Sequence, residues 1–74
     1  MAKSSSEILY TATRLYDEVD IPKFATKVAL RKYITLLPVI ENEEWEYHEY
    51  MNGHHNLSLH FDNREKISTF LSFL

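Results

Sequence analysis

The hydrophobic period changes at Glu43, and that change constrains the fold more than any other feature of the chain. Trp45 and Tyr47 alternate with Glu44, Glu46 and His48. Beyond Asn52-Gly53, Leu57, Leu59 and Phe61 alternate with Asn56, Ser58 and His60. A period of two marks a half-buried strand, and two such runs around a turn dipeptide predict a β-hairpin over 43–61. Its register follows from its faces. A two-residue Asn52-Gly53 turn pairs Met51 with His54, and then sets His60 opposite Trp45 and Leu59 opposite Glu46, mixing polar and apolar sides. A three-residue loop, Met51-Asn52-Gly53, instead pairs Tyr50 with His54, Tyr47 with Leu57 and Trp45 with Leu59, with Gly53 in the left-handed position. The three-residue loop is the expected one.

Outside the hairpin the pattern reads as helical. Ser4 and Glu7 have capping-box spacing, and Ile8, Ala12, Leu15 and Val19 follow at i, i+4, i+7 and i+11, predicting a helix over 4–19 that Pro22 ends. Pro22 suits the first turn of a second helical region over 22–37, either one helix or two short ones, and Pro38 prevents its continuation. Asp62 and Glu65 repeat the capping spacing, with Asn63 as the other cap. Ile67, Phe70, Leu71 and Leu74 then form one face of a helix over 63–73. The expectation is one small α+β domain of order α-α-β-β-α, its two-stranded antiparallel hairpin packed on helices. Its core would hold Ile8, Leu15, Phe24, Val28, Ile34, Leu37, Trp45, Leu57, Leu59, Phe61, Ile67, Phe70 and Leu71.

Composition narrows function by exclusion. A single glycine in 74 residues leaves no room for a P-loop, a dinucleotide fingerprint or a nucleophile elbow. The absence of cysteine removes disulfides, thiolate nucleophiles and Cys-based zinc sites. Met1 to Glu7 does not read as a secretory signal, and the longest apolar stretch, 34–40, is far short of the roughly 20 residues that span a bilayer. An intracellular, cytoplasmic chain with no membrane association is expected.

Four histidines raise the question of a metal. His48-Glu49 begins like a zinc-protease motif, but Asn52 stands where its second histidine belongs, and the segment is a strand. In the three-residue-loop register His48 and His54 are diagonal neighbours on the outer face, His60 lies two pairs away, and His55 points to the opposite face. No metal, cofactor or catalytic residue is expected from this pattern. Ser58 shares a face with His48, His60 and Glu46, but no oxyanion-binding turn accompanies it.

Charge is segregated along the chain. Residues 21–40 carry Lys23, Lys27, Arg31 and Lys32 with no acid, a balance of +4. Residues 41–50 carry Glu41, Glu43, Glu44, Glu46 and Glu49 with no Lys or Arg, a balance of −5, within a net charge of −3. Such segments suit docking better than chemistry. The leading reading is a small non-catalytic protein-binding or regulatory protein, with Lys23, Lys27, Arg31, Lys32, Glu44, Glu46 and Tyr50 as contact residues. Tyr50 stands out because it falls on the polar side of its strand. The alternative is a winged-helix-like DNA-binding regulator using the basic 22–37 helix, although five glutamates on the wing oppose DNA. A homodimer is expected from the apolar C-terminus, Phe70, Leu71, Phe73 and Leu74, from free hairpin edges and from the opposite-sign segments.

Overall fold

A computed structural model of the chain describes residues 7–73, and of Asp20 the backbone alone. Its elements are β1 (Ile8–Arg14), β2 (Val19–Asp20), α1 (Lys27–Leu36), β3 (Trp45–Met51), β4 (His54–Phe61) and α2 (Arg64–Ser72). The strands form one antiparallel sheet in the order β2-β1-β3-β4, with three long strands and the two-residue β2 at one edge. The expected order α-α-β-β-α and the two-stranded hairpin are therefore incorrect.

The error lies in the first segment. Residues 4–6 and the Ser4 half of the capping box lie outside the described residues, but 8–14 is a strand rather than a helix. Tyr10, Thr11 and Thr13 are aromatic or β-branched and fit a pleated surface. β1 pairs with β3 along its whole length, from Ile8↔Met51 to Arg14↔Trp45. This supplies the third strand that a lone hairpin needs for stability. A turn over 15–18, with Glu18 in the left-handed region (φ 51°), returns the chain to β2. Pro22 does not begin a helix. The chain stays extended past it, and Phe24 exchanges two backbone hydrogen bonds with Tyr10, each 2.8 Å. Helix α1 is a single helix that starts only after Thr26, whose hydroxyl accepts from the Ala29 N–H. Asn63 caps α2 by accepting from the Lys66 N–H at 2.9 Å, whereas Asp62 pairs with the Lys66 ammonium.

The hairpin turn also differs from expectation. Met51 pairs directly with His54, so the loop is the two-residue Asn52-Gly53, with both residues at positive φ (51° and 84°). That is the backbone a tight primed turn demands. The faces are still kept apart, because Glu49 pairs with Leu57 while Tyr50 pairs with His55. Asn56 is thus an extra residue in β4, a bulge that shifts the register by one. Beyond it Tyr47 pairs with Leu59 and Trp45 with Phe61.

Both helices contribute to one core on a single face of the sheet. Leu30 and Ile34 of α1 and Ile67 and Leu71 of α2 are fully buried with Trp45, Tyr47, Ala12 and Ile21. Phe70 meets the Tyr47 ring edge-on at 4.9 Å and the Phe61 ring at 5.2 Å. Three expected core residues are outside it: Leu15, Val28 and Leu57 are 39%, 51% and 38% exposed. Phe24, Leu37, Leu59, Phe61 and Phe70 are half-buried and pack against it, and Ile8 is half-buried at the start of β1.

Candidate functional site

The helices cover one face of the sheet and leave the other open. The register places Thr11 and Thr13 of β1, Glu46, His48 and Tyr50 of β3, and His55, Ser58 and His60 of β4 on that open face. His55 is there only because of the bulge: with Asn56 looped in, His55 falls opposite Tyr50 and Leu57 faces the helices. The extended segment Ile21–Lys23 borders this surface, tied to the sheet by the Thr11 hydroxyl, which donates to the Ile21 carbonyl at 2.8 Å. Between strap and sheet runs a groove of about 620 Å³, lined by Lys23, His48, Tyr50, Tyr33 and the β1 threonines and reaching the core residues Ala12 and Ile21.

Side chains within the face are mutually arranged. The Lys23 ammonium lies 4.4 Å from the centre of the Tyr50 ring, and the His55 ring meets Tyr50 at 5.3 Å. His48 Nδ1 is 3.1 Å from Ser58 Oγ and 3.3 Å from His55 Nε2, and Ser58 Oγ is 2.8 Å from His55 Nε2. On its other side, His48 Nε2 is 3.6 Å from Glu46 Oε1. Partial burial lowers the His48 pKa, with a smaller push from His55 and an opposing pull from Glu46.

A second polar cluster is buried beside Trp45. Glu43 and Arg14 are 5% and 4% exposed. Glu43 accepts from Arg14 at 3.0 Å and from Arg64 at 2.8 and 2.9 Å. Arg14 also grips Asp17 through two hydrogen bonds and donates to the Pro38 carbonyl, and Arg64 donates to the Leu37 and Pro38 carbonyls. Burial opposes ionisation of Glu43 and is its largest single influence. Hydrogen bonds from Arg64 and Arg14 nevertheless outweigh it and hold the pKa below the ordinary value. The Trp45 indole N–H also favours the ionised carboxylate, although it is buried and closes no hydrogen bond of its own. The Arg14 fork lowers the Asp17 pKa in the same sense.

Of the seven expected contact residues, the structure brings Lys23, Glu46 and Tyr50 to the open face. Lys27 instead caps the Phe70 ring at 4.9 Å, and Arg31 and Lys32 are exposed on α1, in the helical layer. Glu44 lies 2.9 Å from His60. Charge segregation along the sequence therefore does not become two opposed surfaces. Glu43 is consumed internally and Glu49 accepts from the Tyr47 hydroxyl at 2.7 Å. Sequence reasoning missed His55, because the bulge that turns it outward leaves no mark in the alternation. It also gave no role to Arg14, Glu43 or Arg64, whose pairing joins residues 21 to 29 positions apart. Among the described residues, no group of three or more His, Cys, Asp or Glu side chains is placed to hold a metal ion. No helix is long and apolar enough to cross a membrane. Comparison with known proteins finds no matching family model, curated protein or solved structure.

Proposed function

We propose that this chain is a small non-catalytic binding protein that regulates another protein by docking on it through the open face of its sheet. One observation carries the reading: Lys23, His48 and Tyr50 line a groove on the sheet face away from the helices, and His55 packs against Tyr50 beside it. An amphipathic aromatic beside a cation is the kind of anchor that protein interfaces favour. The Ser58 hydroxyl lies beside two imidazoles, but on an exposed strand where solvent screens the charges a reaction would develop. Binding is the reading that needs nothing further.

The protein acts inside the cell, where a chain without cysteines gains nothing from an oxidising compartment. It pairs as a homodimer along the outer edge of β4. Among the described residues nothing bonds to that edge, and Leu57 beside it is partly exposed. The C-terminus offers this pairing less than the edge does: Phe73 is exposed, but Leu71 is fully buried, Phe70 packs on Tyr47, and Leu74 lies outside the described residues. The helix–helix–hairpin order of a winged helix is not the order of this chain, and β3 is held between β1 and β4 rather than free to approach DNA.

The test is capture of partners from the source cell by the wild-type chain and by a Lys23→Glu/Tyr50→Ala double variant. A protein recovered by the first and lost by the second supports the reading. Salt-sensitive binding to mixed duplex DNA that is lost on changing Lys23, Lys27 and Arg31 to Glu overturns it.

A further inference from the structure

We propose that His48 and His55 form a binding site for a divalent transition-metal cation of the zinc type, with the Ser58 hydroxyl as a third, weaker donor. The inference is independent of the protein-binding reading, since it uses the face for a different ligand and stands whether or not a protein docks there.

The geometry begins with the bulge. In a regular hairpin His55 and Ser58, three positions apart, would lie on opposite faces. Asn56 absorbs one residue, so both face outward and both reach His48 on the neighbouring strand. His48 Nδ1, His55 Nε2 and Ser58 Oγ form a triangle with sides of 3.3, 3.1 and 2.8 Å. Two donors each about 2.05 Å from one ion, at a tetrahedral angle, stand about 3.3 Å apart, and about 2.9 Å apart at a right angle. The observed separations fall at these values. Without an ion the three atoms are close enough to share hydrogen-bond protons, the Ser58 hydroxyl lying within reach of both nitrogens. A cation bound to the two nitrogens takes the place of those protons.

Glu46 supplies the outer support that metal-binding histidines commonly have. Its carboxylate, 3.6 Å from His48 Nε2 and so beyond hydrogen-bond reach, acts through its charge alone, which favours the proton on that nitrogen and leaves the Nδ1 lone pair for the ion. It is a positioning residue and not a ligand. Imidazole donors select zinc, nickel or copper over magnesium and calcium. Among the described residues no group of three or more His, Cys, Asp or Glu side chains is placed to hold an ion, so water completes the coordination and the ion exchanges readily. The site therefore suits sensing or recruiting a metal at the surface better than holding the fold together.

The experiment titrates the metal-free full chain with Zn2+ by calorimetry while following imidazole nitrogen shifts by NMR. One ion should bind per chain, shifting His48 Nδ1 and His55 Nε2. His55→Asn and His48→Gln should each weaken binding about tenfold or more, and Glu46→Gln by a smaller factor, since its carboxylate makes no hydrogen bond to His48. His54→Ala and His60→Ala should stay within about twofold of wild type, because neither touches the triangle. Zinc should also raise the melting temperature of the wild type but not of His55→Asn, whose own unfolding midpoint checks that it folds. The proposal is overturned if no saturable binding occurs up to millimolar zinc, if magnesium binds as well, or if His55→Asn binds zinc like the wild type.

Discussion

The molecule holds two polar clusters, one on each side of the same sheet, built on opposite terms. Beside Trp45, Glu43 is enclosed by two guanidinium groups that also satisfy the carbonyls of Leu37 and Pro38. Every charge there is matched, and the cluster joins the end of β1, the start of α2 and the loop leading to β3. On the open face, His48, His55, Ser58, Lys23 and Tyr50 touch each other but leave donors and acceptors facing solvent. A buried charge without its counter-ion costs several kcal/mol, so the carboxylate and guanidinium groups of the first cluster must find each other for the chain to fold. An exposed one carries no such requirement and is available for a ligand. The contrast separates the side chains that make the fold from those that can serve it.

The largest break in that contrast should come from Glu43→Ala. It takes away the buried carboxylate that both guanidinium groups share, leaving Arg14 with Asp17 and the part-buried Arg64 with backbone carbonyls alone, and should cost about 3–5 kcal/mol by urea denaturation. That is a large share of the stability of a 74-residue chain. Leu71→Ala, opening a cavity between α2 and the sheet, should cost about 2–5 kcal/mol. Acid sharpens the comparison further. The pKa values of Glu43 and Asp17 are lowered in the folded chain, so the stability they contribute is present above the unfolded carboxylate value of about 4 and is lost as pH falls through their lower folded values. Unfolding followed from pH 7 downwards should show the loss beginning near that value, and Glu43→Gln should flatten it. Gly53→Ala is the smallest of these changes. At φ 84°, with nothing within 4 Å of an added Cβ, it meets backbone strain alone and should cost about 1 kcal/mol.

Legibility divided along physical lines. Asn52-Gly53 gave the right turn and the alternation of Trp45, Tyr47, Leu59 and Phe61 gave the right faces, but a regular ladder satisfies only one of them. The chain satisfies both by looping out Asn56, a solution that becomes visible only when register and turn are known together. Residues 8–14 misled because Ile8, Ala12 and Leu15 match a helical spacing, while the decisive interaction is pairing with β3, some 31 to 43 positions away. Tyr50 was legible as an aromatic on the polar side of its strand, and Lys23 as one of four basic residues in 21–40. Their contact was not, because it depends on the extended path through Pro22.

The most direct test of the division is the urea-unfolding free energy of one variant that strips the open face, Lys23→Glu with Tyr50→Ala and His55→Asn. Lys23 and His55 both contact Tyr50, His55 also meets His48 and Ser58, and none of the three belongs to the core. The account predicts an unfolding free energy within about 1 kcal/mol of the wild type. A loss on the scale of Glu43→Ala would show that the open face is part of what holds the fold, and would contradict it.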